Sequence, residues 1–290
     1  MKKQVVEIKD LEELSPIFKG EAGHRRAKMF MRLFAINRVN KLYEHSCDYK
    51  GADFAARLLN DLGVQYDIGN AERLRNLPKG AFISISNHPY GGLDGIMLID
   101  LMAGIRPDYK LMVNKVLSLI EAMDENFISV TPVTDTKPLN TANINSIRGT
   151  IAHLQNGHPI GFFPSGAVSD YSLKDACVRD REWQESVLKL IKKAKVPIVP
   201  IRFIDMNSPL FYFLGLINWK IRLMRMPYEV FNKRKQRPRI GIGDIISVEE
   251  QEQFTDVKSF GAFLRKAVYN MGVPTSYTPR TVLNMPVKHD

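Results

Sequence analysis

Thirteen residues, Phe82 through Asp94, limit what this chain can fold into more than any other stretch. Phe82-Ile83-Ser84-Ile85-Ser86 reads as a short strand, apolar on one side. Pro89 stops it, because proline lacks an N–H and fixes φ and so cannot continue a central strand. Gly91-Gly92 then opens backbone conformations closed to other residues. The run Gly95–Met102 reads as the start of a buried helix. A strand that breaks into a glycine turn and enters a helix is a unit of an α/β sheet, and ligands bind such sheets at the carboxyl ends of the strands. His88 and Asp94 stand on that turn.

A paired carboxylate sets the tautomer of an imidazole and stabilises the imidazolium, leaving the second ring nitrogen free to take a proton. An unperturbed imidazole pKa of ~6.5 suits a general base. The competing reading is that His88 caps a helix or satisfies a buried carbonyl. The strand-end position, the glycines and the carboxylate favour the base. On a regular helix a separation of six rotates two side chains apart by roughly 240°. His88 and Asp94 therefore meet only if Gly91-Gly92 forms a loop.

Further strands are expected near Tyr66–Ile68 after a Gly63 cap, at Tyr109–Val113, at Asn126–Val133 and at Arg239–Ile246. Helices are expected over Met29–Leu42, Ala52–Leu62, Lys115–Met123, Asn140–Asn156 and Phe254–Met271, followed by a loosely held tail. This alternation predicts an α/β fold: a mostly parallel central sheet covered by helices, with an N-terminal helical segment. The division expected is residues 1–50 as that segment, which packs on the main domain or lies in a membrane interface, and 51–290 as the α/β domain. A hydrophobic content of 44% over 290 residues supports a real core and argues against disorder. Cys47 and Cys177 give neither a disulfide framework nor a metal-ligand spacing. His153 and His158 lack ligand partners at metal spacing and read as surface or capping residues. No secretory signal and no membrane span are expected.

Two further stretches carry information. Pro159–Phe163 reads as an apolar strand breaking at Pro164-Ser165-Gly166, a turn that can offer N–H groups to an anion or to developing oxygen charge, or that is an ordinary turn. Val196-Pro197-Ile198-Val199-Pro200-Ile201 is another apolar strand. The net charge of +10 suggests an anionic partner. Leu210–Trp219, followed by Lys220, Arg222, Arg225 and the basic run Lys233–Arg239, reads as a core helix with a solvated basic loop, or as a surface docking on anionic lipid. Nucleic acid shares the charge, but no zinc ligand set, helix-turn-helix or RNA motif accompanies it. No Gly-x-Ser-x-Gly elbow or dinucleotide fingerprint occurs.

In these stretches the chain resembles the glycerolipid acyltransferase superfamily, the lysophosphatidic acid acyltransferase (PlsC-like) type. The first motif of that superfamily is Asn-His, four residues, then Asp. Asn87-His88 matches it, and Asp94 follows after five residues. That longer spacing, with a similar His-Pro-aromatic-Gly run, is found in the hemolysin-like branch, which includes acyltransferases of ornithine and glycine lipids. Phe163-Pro164-Ser165-Gly166 resembles the Phe-Pro-Glu-Gly motif, with Ser165 in place of the glutamate and Ala167 where the branch often carries a later one. Val196–Pro200 resembles the Val-Pro-Ile-Val-Pro block. The block that carries an arginine for an acceptor phosphate has no counterpart around Ile128–Val133. The resemblance covers residues 50–245.

The resemblance implies an acyltransferase that moves a fatty acyl chain from acyl carrier protein or coenzyme A to a lyso-lipid at the membrane. His88 and Asp94 are the expected catalytic pair. Asn87, Gly91, Gly92, Pro164, Ser165 and Gly166 are the expected substrate contacts. No bound cofactor and no metal are expected. The expected setting is peripheral, on the anionic cytoplasmic face of the inner membrane. Without the arginine and the glutamate, an aminolipid acceptor ranks ahead of lysophosphatidic acid, since phosphate asks for a positioned cation. A lipid or ester hydrolase using the same histidine, and a non-catalytic basic membrane-binding protein, are the competing functions.

Overall fold

The computed structural model describes residues 3–130, 141–272 and 274–283. Strands β1 (Asp67–Gly69), β2 (Ile83–Ser86), β3 (Lys110–Asn114), β4 (Phe127–Val130) and β5 (Ile160–Phe162) come first. A separate ribbon, β6 (Asp170–Ser172) with β7 (Cys177–Arg179), precedes β8 (Ile198–Phe203), β9 (Arg239–Ile242) and β10 (Tyr277–Pro279). Apart from the ribbon, all pair in one sheet of order β10-β1-β9-β8-β2-β5-β3-β4. The run β8-β2-β5-β3-β4 is parallel; β9 lies antiparallel to β8, and β10 antiparallel to β1. The expected mostly parallel α/β sheet is the one observed.

Four helices, α1 (Ile8–Leu14), α2 (Gly20–Leu33), α3 (Ile36–Ser46) and α4 (Gly51–Leu62), precede the sheet. Helix α5 (Gly92–Leu98) follows β2 and runs on into a π turn, Ile99–Ala103. Then come α6 (Thr141–Gln155), α7 (Glu185–Ala194), α8 (Pro209–Ile217), α9 (Trp219–Asn232), α10 (Val248–Glu252) and α11 (Val257–Tyr269). Ile83 and Ile85 of β2 pack with Leu188 of α7 and Leu264 of α11 on one face of the sheet. Phe54 of α4, Met97 of α5 and Val199 of β8 belong to the core of the other face. Strand β2 is buried along its whole length, as a strand covered on both faces must be. Gly63 caps α4 at φ 68°, as its position predicts.

Several elements differ from expectation. Met29–Leu42 is not one helix: Ala35, buried and left-handed at φ 57°, separates α2 from α3. Packing sets that break, for Ala27 and Met31 of α2 bury against Leu11, whereas Tyr43 and Cys47 at the end of α3 join the main core. Lys115–Met123 forms two 3₁₀ turns, because Tyr43 accepts the Ala122 N–H and Asn126 donates to the Tyr109 carbonyl at 2.8 Å. The closing helix starts later than Phe254, at the Asp256 cap. The tail is held as far as Arg280: β10 edges the sheet, and Arg280 lies 2.9 Å from Asp100. Residues 131–133, 140 and 284–290 of the expected elements lie outside the described residues.

The basic stretch is not a solvated loop. Helix α8 stops at Asn218, whose side chain caps α9, and the two pack as a hairpin. Lys233 is fully buried, 3.5 Å from Glu229. Arg234, Lys235 and Arg237 are exposed, with Arg237 paired to Asp67, and half-buried Arg239 pairs with Asp205.

Candidate active site

β2 delivers Asn87 and His88 at its carboxyl end, beside the carboxyl end of β5, where Phe163 begins the next turn. Asn87 prolongs the β2–β8 ladder with its side chain. Its amide donates to the Phe203 carbonyl and its oxygen accepts the Phe203 N–H, both at 2.8 Å. Both polar ends of Asn87 are thus committed to the sheet.

The turn that follows is held along its main chain. The His88 N–H donates to Asp180 at 3.1 Å, and the His88 carbonyl accepts from the Ser169 N–H at 2.9 Å. The Pro89 carbonyl accepts from Asn207 and from the Tyr212 hydroxyl. The N–H groups of Tyr90 and Gly91 donate to one oxygen of Asp94, at 2.9 and 3.0 Å. Gly91 sits at φ 75°, and a Cβ there would fall 2.8 Å from the Met226 sulfur, so conformation and space both demand glycine. Gly92 opens α5 and has free space around it.

Because α5 begins at Gly92, Asp94 falls in its first turn and reaches back over the loop. His88 Nδ1 lies 2.9 Å from the same Asp94 oxygen that holds Tyr90 and Gly91. The separation of six is bridged by the glycine loop, as the sequence required. The contact is an ion-pair approach with the ring N–H off the oxygen's axis, an arrangement common before substrate binds. Asp94 is fully buried, and that burial pushes its carboxyl up to about 6; the His88 and peptide N–H contacts oppose the rise. His88 keeps 17% of its side chain exposed and stacks on Phe163, ring centroids 4.0 Å apart.

His88 lines an apolar cleft of about 240 Å³. Gly91, Gly92, Ile96, Leu111, Val113 and Phe127 line it, together with Val187 and Leu190 of α7. With Nδ1 on Asp94, Nε2 is the ring nitrogen left for a substrate. The cleft suits a hydrocarbon chain, and the histidine end suits a proton transfer.

The second turn commits several of its polar groups locally. The Gly166 N–H donates to the Phe163 carbonyl, so it is spent inside the turn. Ser165 is buried and donates to the Ala167 carbonyl, and the Pro164 carbonyl accepts from the Gln184 N–H. Gly166 lines the cleft at φ 63°, and a Cβ there would lie 2.0 Å from the Gln184 side-chain nitrogen. Phe163 stands in the Phe-Pro-Ser-Gly motif, but its stacking on His88 is set by the pairing of β2 with β5 and is not visible in the motif. No local pattern marks Gln184, which lines the cleft, or Asp180, which meets His88 from the end of the ribbon.

The profile of the acyltransferase family matches residues 22–274. The lyso-glycine lipid O-acyltransferase of Bacteroides thetaiotaomicron is 25% identical over 80% of this chain and 85% of its own. That of Phocaeicola vulgatus is 23% identical over 93% of this chain and 100% of its own. The crystal structure of the 1-acyl-sn-glycerophosphate acyltransferase PlsC from Thermotoga maritima superposes with a TM-score of 0.48 at 13% identity, over 84% of this chain and 86% of that one.

Asp94 gives the fold a pH signature. Its carboxyl rises from 3.8 to about 6 on folding, so the native state holds that proton more tightly than the unfolded chain does. The stabilisation is complete below the unfolded value and fades as pH climbs through about 6. Asp94→Asn cannot ionise. In chemical denaturation its stability relative to the native protein is expected to improve between about pH 4.5 and about pH 7.5. A difference that stays constant across that range would contradict the raised carboxyl.

Proposed function

This chain belongs to the acyltransferase family, and from that premise we propose that it O-acylates a lyso-aminolipid, with His88 as general base. The carrying observation is a histidine, paired to a buried aspartate, that lines an apolar cleft. In this reading the cleft takes the fatty chain of an acyl thioester carried by acyl carrier protein or coenzyme A.

His88 Nε2 removes the proton from the acceptor hydroxyl while its oxygen attacks the thioester carbonyl carbon. The tetrahedral intermediate collapses with cleavage of the C–S bond. The imidazolium returns the proton to the departing sulfur, so the products are the ester and a free thiol. Asp94 holds the tautomer and stabilises the imidazolium. Phe163 keeps the ring at its angle. A positioned general base contributes on the order of 10² to 10⁴ in rate.

The acceptor is placed by two considerations. The curated relatives are named for lyso-glycine lipid, and neither the Pro164–Gly166 turn nor the Ile128–Val130 strand brings an arginine or glutamate for a glycerol phosphate. An N-acylated glycine with a fatty hydroxyl asks for no phosphate clamp. Purified protein given one acyl thioester and both acceptors is expected to form the O-acylated glycine lipid. Efficient phosphatidic acid formation, with the glycine lipid untouched, would overturn the acceptor.

The lipid substrates require a membrane contact. Among the described residues no helix is long and apolar enough to cross a bilayer. The α8–α9 hairpin offers a peripheral one. Phe211 and Tyr212 face inward, whereas Phe213, Ile217 and Trp219 are exposed at 58%, 62% and 55%. Lys220 stands beside Trp219. The hairpin also carries Met226, which lies against Gly91 in the His88 turn and so joins the hairpin to the site. Phe213→Ser with Ile217→Ser is expected to weaken binding to anionic vesicles at least roughly tenfold, from lost apolar burial. Undiminished vesicle binding would remove the hairpin from the contact.

A further inference from the structure

A second buried carboxylate stands behind the His88 turn, outside the proton-transfer pair. Asp180 follows β7 and is 2% exposed. One of its oxygens accepts from the His88 N–H at 3.1 Å and from the Ser169 hydroxyl at 2.6 Å. The other accepts from the Trp183 indole N–H at 3.1 Å. Ser169 closes the circuit by donating its own N–H to the His88 carbonyl at 2.9 Å. Asp180 is itself fixed from α11, where its N–H donates to the Tyr269 hydroxyl and its carbonyl accepts from Arg265, both at 2.7 Å.

All three donors to the carboxylate are neutral: a peptide, a hydroxyl and an indole. Burying a carboxylate on neutral donors is costly, and such a group persists where its geometry is needed. A carboxylate is the one side chain here that accepts at both ends. An asparagine would turn an NH₂ group toward either Trp183 or the His88–Ser169 pair and leave a donor unmet. Asp94 fixes the imidazole from the side chain, and Asp180 grips the same residue by its main chain.

We propose that Asp180 is a positioning residue that sets the height and angle of His88 over the acyl cleft. Through Trp183 and Gln184 it also ties the histidine to α7, whose Val187 and Leu190 line the cleft. The proposal rests on His88 being the general base. A misplacement of about 1 Å at a reacting group costs on the order of 10²-fold in rate.

The test compares Asp180→Asn with the native enzyme and with His88→Ala, using acyl thioester and lyso-glycine lipid, with folding checked by circular dichroism and thermal unfolding. In folded Asp180→Asn, kcat is expected to fall about 10- to 100-fold while KM for the acyl donor stays within about twofold. A merely structural role would lower stability and leave kcat per folded molecule unchanged; that result would overturn the proposal. His88→Ala separates the two claims. If it turns over normally, the general-base reading fails. If it is inactive while folded Asp180→Asn retains native kcat, only the role of Asp180 fails. Should Asp180→Asn not fold, Ser169→Ala decides instead: it removes one donor from the same oxygen and is expected to lower kcat by about threefold or more. Native kcat in folded Ser169→Ala would then overturn the proposal.

Discussion

The site depends on one buried oxygen. A single carboxylate oxygen of Asp94 receives the N–H groups of Tyr90 and Gly91 and lies 2.9 Å from His88 Nδ1. The same contacts close the turn, begin α5 and set the histidine. Burial alone would favour the neutral acid, which is why the carboxyl is pushed up to about 6. Above that pH the ionised form is supported by two peptide donors and by the imidazole within ion-pair distance. The left-handed backbone of the turn falls on Gly91, the position where a side chain would strike Met226.

Around that oxygen, each polar group of the turn finds its partner on a different element. Asn87 bonds to Phe203 across 116 residues of sequence, and the Pro89 carbonyl to Asn207 across 118. His88 is held by Ser169 and Asp180 from the ribbon side. A histidine on a turn gripped by β8, the ribbon and the α8 approach has little freedom to drift. Such pre-organisation is what a proton transfer at the edge of an apolar cleft requires. In the proposed reaction the apolar cleft serves the same end by keeping water from the thioester.

Much of this was legible in the sequence. Pro89 and the paired glycines mark the end of β2 and the loop, and the separation of His88 from Asp94 demands the bend that Gly91 makes. The alternation of short apolar runs with helices predicts the parallel sheet. Less legible were features set by tertiary contact. Ala35 breaks a helix without glycine or proline because α2 and the end of α3 bury against different neighbours. The basic run Lys233–Arg239 reads as exposed charge, yet Lys233 is fully buried against Glu229, while Arg237 and Arg239 pair with Asp67 and Asp205. Ser165-Gly166 reads as an anion-binding turn, yet its glycine N–H is spent on Phe163. Asp180 carries no motif; it becomes visible once the ribbon folds back on His88.

The account turns on the proton acceptor at position 88. The most direct measurement is acyl transfer by folded His88→Ala with and without added imidazole. The space beside Phe163 vacated by the ring would receive the free base. The account predicts a loss on the order of 10² to 10⁴ without imidazole and recovery in proportion to its concentration. Transfer by folded His88→Ala at close to the native rate, with no imidazole present, would contradict it.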